Sequence, residues 1–72
     1  MNQIAWLRAA ETYAYRLATG TECRCVLAEL GREIEKAASG NGDRITKSRQ
    51  VDDLQMLALA VELRLMEIEA AL

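Results

Sequence analysis

The feature that most constrains this chain is its C-terminal segment, residues 48–71, which carries two apolar stripes at helical spacing. The first stripe alternates intervals of three and four residues and consists of Val51, Leu54, Ala58, Val61, Leu65, Ile68 and Leu72. The second follows the same alternation and consists of Met56, Leu59, Leu63, Met66 and Ala70. This is the heptad spacing of packed helices, and the two stripes lie on nearly opposite sides of one helix. A helix with two apolar faces needs two neighbours.

Two interruptions divide the chain into three predicted helices. Gly20, with a threonine on either side, is typical of a helix stop followed by an N-cap, and residues 39–43 are typical of a turn. Ser48 is the predicted N-cap of the last helix. We therefore predict a single domain over 1–72, with helices at about 3–18, 22–38 and 48–71 and a loop at 39–47.

Length and composition favour an all-helical protein that needs support beyond its own core. The 72 residues include no Pro and no Phe, and 51% of them are hydrophobic, so the core must be largely aliphatic. Domains of this size bury a small fraction of their surface, and oligomerisation is one common remedy. We predict an all-α fold in which a short N-terminal helix precedes an antiparallel helical hairpin. The hairpin is expected to assemble into a helical-bundle homodimer or a higher oligomer.

The position of the first helix decides which stripe stays uncovered. Its apolar residues fall within one arc and are Trp6, Leu7, Ala10, Tyr13, Ala14 and Leu17. If helices 2 and 3 bury the first stripe, covering the second would place helix 1 about 16–20 Å from helix 2. The three-residue link at 19–21 reaches only about 10 Å when extended. We therefore expect helix 1 to lie beside helix 2, although a flat arrangement with helix 3 in the middle is strained rather than forbidden.

The second stripe is then predicted to face another protein chain. Apolar side chains left in water forgo about 1.5–3 kcal/mol each relative to full burial. The predicted partner-binding residues are Met56, Leu59, Leu63, Met66 and Ala70. Tyr15 and Ile4 lie outside the apolar arc of helix 1, and an extension of the contact surface onto this edge is an alternative to a helix 1 that only closes the bundle. The predicted function is a small protein–protein interaction module, such as an adaptor, a chaperone or an inhibitor, whose partner is a second copy or another protein.

A cluster of basic residues supports an alternative function. Arg44, Lys47 and Arg49 lie between the predicted turn and the last helix, where free backbone N–H groups also attract anions. An oligomer would bring several such clusters together. The alternative is therefore an oligomeric binder of a small anionic ligand or a nucleotide. The competing interpretation is an ordinary solvated loop, with Asp43 and Asp52 as neighbouring counter-charges.

The sequence contains few residues that are candidates for catalysis or metal binding. There is no His, so Ser-His and Cys-His nucleophile pairs are absent. Cys23 and Cys25 point in different directions on a helix and lack further ligands for zinc; Cys23 is predicted to be buried and Cys25 exposed. Asp52 and Asp53 diverge by about 100° on a helix, which is poor geometry for paired acid–base work. We predict no enzymatic activity, no metal and no cofactor.

Charge and hydropathy restrict the class of partner and the cellular location that the sequence predicts. The net charge is −2, and residues 51–72 alone carry five acids against one base, or −4, which disfavours nucleic acid. The longest uncharged apolar run, 54–61, is too short to cross a membrane, and the N-terminus lacks the apolar run of a signal peptide. Two cysteines that cannot pair within the chain favour a reducing compartment. We therefore predict a cytoplasmic protein.

Overall fold

The described part of the chain, residues 3–40 and 42–72, forms three helices and contains no strand in the computed structural model. Helix α1 spans Gln3–Tyr15, α2 spans Gly20–Ser39 and α3 spans Arg44–Ala70. The predicted all-α fold class is confirmed. Met1, Asn2 and Asn41 lie outside the described residues, so the predicted turn at 39–43 is described only in part.

The helix boundaries differ from the predicted ones because other residues serve as caps. The Thr19 hydroxyl accepts a hydrogen bond from the Glu22 backbone N–H at 3.1 Å, so α2 begins at Gly20 and this glycine is not a helix stop. The Asp43 carboxylate accepts from the Ile45 backbone N–H at 3.3 Å, so α3 begins four residues before Ser48. An earlier side-chain cap satisfies the free N–H groups, and the predicted loop at 39–47 is correspondingly shorter.

Helices α2 and α3 form an antiparallel hairpin that holds the core. Near the start of α2, Arg24 reaches Glu69 at 2.9 Å, whereas Ala37 near its end lines a cleft with Gln50 and Leu54. The buried cluster consists of Ala14, Leu17, Cys23, Leu30 and Val61, with Leu54, Leu65 and Ile68 packed against it. The first stripe therefore faces α2 over residues 54–68, as the heptad pattern predicts, whereas Leu72 lies beyond the end of α3 and is 99% exposed.

Helix α1 packs against α3 and not beside α2, contrary to the sequence-based expectation. The Trp6 indole N–H donates to the Asp53 backbone oxygen at 3.1 Å, and Arg64 Nε donates to the Leu17 backbone oxygen at 3.0 Å. Both pairs are 47 residues apart, so α1 runs parallel to α3. The face of α1 that is fully buried is made of small residues, Ala10 and Ala14, which allow close approach.

Two features remove the strain that the flat arrangement implied. Because α1 ends at Tyr15, residues 16–19 are free to connect the helices, and four extended residues reach about 13–14 Å. Along α3, the residues toward α1 (Asp53, Leu57, Arg64) lie about 100° around the axis from those toward α2. Neighbours at 8–10 Å from one axis and at right angles are about 11–14 Å apart. The linker therefore suffices.

Candidate functional site

The second stripe of α3, hereafter the outer stripe, remains largely uncovered by the chain's own helices. It consists of Met56, Leu59, Leu63, Met66 and Ala70. Leu59 is 55% exposed, Leu63 52% and Met66 65%; Met56 is half-buried and Ala70 is exposed. Helix α1 covers a third face of α3, so neither neighbouring helix lies over the stripe. The predicted partner-binding residues thus share one solvent-facing surface.

One edge of α1 extends this surface. A shallow cleft of about 240 Å³ between α1 and α3 is lined by Glu11, Ala14, Tyr15, Ala60, Leu63, Arg64 and Glu67. Tyr15 is 72% exposed, and Ile4 and Leu7 lie on the same edge of α1, since residues 4, 7, 11 and 15 follow helical spacing. The outer stripe therefore adjoins a second helix edge that includes Tyr15.

Arg64 contacts the ring of Tyr15 beside the outer stripe. Its guanidinium carbon lies 4.8 Å from the centre of the Tyr15 ring, within the range of a cation–π contact. The same side chain donates to the Leu17 backbone oxygen at 3.0 Å and lies 3.5 Å from the Glu67 carboxylate. Tyr15 is thus an exposed aromatic group in contact with Arg64, and aromatic residues dominate the binding energy at many interfaces. Arg64 is the one base within 51–72, but the sequence does not indicate that it contacts Tyr15.

The basic residues of the alternative function lie on α3 itself and not in a loop. Arg44 is the first residue of α3, and Lys47 and Arg49 follow in its first two turns. Lys47 and Arg49 point about 160° apart on a helix, so these two side chains do not converge. At the N-terminus of α3, the Ile45 backbone N–H already donates to the Asp43 carboxylate, which also accepts from the Thr46 hydroxyl at 3.4 Å. This arrangement does not by itself favour an anion site.

Two further clefts among the described residues are lined in part by Trp6. A cleft of about 450 Å³ between Trp6, α2 and α3 is lined by Glu33, Lys36, Gln50 and Asp53, with apolar atoms from Ala37 and Leu54. A smaller apolar cleft of about 220 Å³ lies between Tyr13 and Leu57. Both are open to solvent. The first contains charged side chains, but Lys36 already pairs with Glu33 at 3.6 Å.

Three further properties of the described residues are the exposure of the cysteines, the grouping of possible metal ligands and the apolar length of the helices. Cys23 is buried and Cys25 is exposed, which confirms the sequence-based prediction for both. Within the described residues, no group of three His, Cys, Asp or Glu side chains is placed to hold a metal ion. No helix in the described ranges is long and apolar enough to cross a membrane.

Comparisons of this chain with protein-family models, curated proteins and solved structures found no match.

Proposed function

We propose that this protein is a small interaction module that binds an apolar helix face of another chain through the outer stripe. The observation that carries the proposal is the exposure of Leu59, Leu63 and Met66, each more than half in solvent on a helix packed on two other sides. Their heptad spacing suits the apolar face of a partner helix. Adaptors, chaperones and inhibitors of larger proteins work in this way. The two unpaired cysteines favour a cytoplasmic setting for it.

The energetics support a partner of this kind. Covering a leucine or methionine that is already half-buried stabilises the complex by about 0.8–1.5 kcal/mol, which is half the value for full burial. Contiguous exposed apolar side chains on a small protein commonly mark an interaction site. Tyr15 adds an anchored aromatic ring next to Leu63. The occupant of the surface is either a second copy of this chain or a different protein.

The proposal is tested with a designed helical peptide as probe. The peptide is a labelled, monomeric 21-residue helix with Leu at the heptad core positions and Gln at the flanking ones. Fluorescence anisotropy should detect saturable one-to-one binding to the parent protein. Leu63→Glu should weaken binding at least about tenfold, because the charged carboxylate must be desolvated against the peptide. Circular dichroism should give the same helicity for the variant and the parent.

The matched control places the same charge far from the outer stripe. Ala28 is exposed on the side of α2 opposite its buried residues, so Ala28→Glu should bind the peptide like the parent. Absence of peptide binding to the parent would overturn the proposal. Equal binding by the parent and Leu63→Glu would overturn it as well, since the peptide would then be bound elsewhere.

A further inference from the structure

The charged side chains that border the outer stripe are predominantly acidic. Glu62 lies along one edge, Glu67 and Glu11 lie along the other, and Asp52 lies at the N-terminal end of the stripe. Among described residues, no ion pair or side-chain hydrogen bond engages the carboxylates of Glu62, Glu11 or Asp52. The surface therefore presents apolar side chains between free negative charges.

Three bases near this surface, Arg64, Arg8 and Arg49, offset these charges only in part. Arg64 lies between α1 and α3 and is held by the Leu17 backbone oxygen and the Glu67 carboxylate. Arg8 lies on the outer edge of α1, level with residue 55 when the offset of 47 residues between α1 and α3 is applied. Arg49 lies three residues before Asp52, at the N-terminal end of the stripe. Two bases without an ion pair among the described residues, Arg8 and Arg49, thus stand against the three free acids Glu62, Glu11 and Asp52. The free charges beside residues 56–70 themselves are the two acids Glu62 and Glu11.

A second copy of this chain would match the apolar side chains but not the charges. In an antiparallel pair of α3 helices, Met56 would meet Met66 of the second copy and Leu59 would meet Leu63. Helices paired in this way bring identical flanking positions together, so the two Glu62 side chains would be neighbours. A parallel pair would stack Asp52 on Asp52 and Arg49 on Arg49. Like charges placed together disfavour an interface.

We infer that the outer stripe accepts an amphipathic helix from a different protein, with Leu, Ile or Met along its apolar face and Lys or Arg along both flanks. This inference rests on the proposed function and names the chemistry of its partner. Basic residues on one flank would face Glu62, and those on the other would face Glu11 and Glu67. The stripe from residue 56 to 70 is about 21 Å long, so the partner helix has about four turns in contact.

The test compares three labelled peptides that share the leucine face of the probe described above and differ only in carrying Lys, Gln or Glu on both flanks. The Lys peptide should bind the parent protein most tightly and the Glu peptide least, with at least a fivefold difference at low salt. The difference should shrink in 0.5 M salt, because the Debye length falls to about 4 Å. Opposite charges at the edges of an interface act in this way.

A charge-neutralised variant tests which carboxylates cause the preference for Lys flanks. Glu11→Gln combined with Glu62→Gln should remove most of the preference for Lys over Glu flanks. Glu29→Gln combined with Glu35→Gln changes the net charge by the same amount on the exposed surface of α2 and should preserve the preference.

Three outcomes would overturn the inference. Equal binding of the Lys, Gln and Glu peptides would refute the basic partner while leaving the interaction module intact. Failure of all three peptides to bind would refute the module itself. A dimer of the parent protein in light scattering at micromolar concentration, converted to a monomer by Leu63→Glu, would identify a second copy as the occupant.

Discussion

Two faces of the same helix have similar residues and different surroundings. The face of α3 toward α2 contains Val61, which is fully buried, and the half-buried Leu65. The outer stripe contains Leu59, Leu63 and Met66, each more than half exposed. Both faces repeat at intervals of three and four residues, so side-chain type and spacing do not distinguish them. What distinguishes them is the number of helices that this short chain has to cover them.

The difference follows from how two helices can surround a third. Helix α3 is the longest, with 27 residues, and both other helices pack on it. Because α1 and α2 lie about 100° apart around α3, they leave the remaining side uncovered. The heptad pattern thus identifies both apolar faces, while chain connectivity determines which one is left for a partner.

The largest effect expected from this comparison comes from one charge placed on either face. Val61→Glu puts a carboxylate where no solvent reaches, and an uncompensated buried charge costs about 3–5 kcal/mol. A domain of this size has a stability of about 3–5 kcal/mol, so the variant should be unfolded at 25 °C. Leu63→Glu should change the stability by less than about 1 kcal/mol, since substitutions at exposed sites have small effects.

Circular dichroism during urea titration measures both variants. A loss of helicity in Val61→Glu alone would support the assignment of the two faces. Equal unfolding by the two substitutions would contradict it, because the outer stripe would then belong to the folded core.

A second comparison uses leucine-to-alanine substitutions, which remove side-chain volume from each face without adding a charge. Leu30, on α2, is 7% exposed and packs in the same cluster as Val61. Leu30→Ala should lower the free energy of unfolding by about 2–5 kcal/mol, the range for a buried leucine that leaves a cavity. Leu59→Ala, at a site 55% exposed, should lower it by less than about 1 kcal/mol.

Differential scanning calorimetry gives both values from shifts in the midpoint temperature. Similar losses for the two alanine variants at low protein concentration would mean that Leu59 is covered in the isolated protein. A loss for Leu59→Ala that grows with protein concentration would point instead to self-association through the outer stripe.

Much of the fold was accessible from sequence periodicity. The first stripe of α3 and the burial of Cys23 were predicted from helical spacing alone, and Val61 and Cys23 are buried where that spacing places them. Periodicity succeeds here because each of these helices needs one apolar face against the other. The all-α class follows from the same pattern and from the absence of Pro.

The position of α1 was wrong in the sequence-based prediction for a local reason. The prediction extended the first helix to residue 18, whereas α1 ends at Tyr15 and leaves a longer linker. The bulky residues of the apolar arc were also expected to be buried. Leu7 and Tyr13 are more than two-fifths exposed, and Ala10 and Ala14 are the buried residues of α1. Small residues that allow close helix approach carry little hydrophobic signal.

The candidate site was predictable as a set of residues but not as a surface. Spacing places the five residues of the outer stripe together, yet the Arg64–Tyr15 contact depends on where α1 docks. The basic cluster at Arg44, Lys47 and Arg49 was predicted in a loop because Ser48 was taken as the cap. Asp43 caps α3 instead, so all three residues lie on a helix, where Arg49 points about 160° away from Lys47.

The smallest expected effect concerns the charges beside each face. Glu69, on the α2 side of α3, pairs with Arg24 at 2.9 Å, but both side chains are about half exposed or more. Such surface pairs contribute about 0.2–1 kcal/mol, so Glu69→Gln should lower stability by less than about 1 kcal/mol in low salt. In 1 M salt the loss should vanish, because the Debye length falls to about 3 Å. Urea titrations at the two salt concentrations measure it.

Glu62→Gln is the matched change beside the outer stripe. Glu62 forms no ion pair among the described residues, so its neutralisation should leave stability unchanged at both salt concentrations. A loss equal to that of Glu69→Gln would mean that Glu62 has a cationic neighbour within the folded chain. The acid that faces α2 would then no longer differ from the acid that faces solvent, and the electrostatic reason for expecting a basic partner at the outer stripe would be removed.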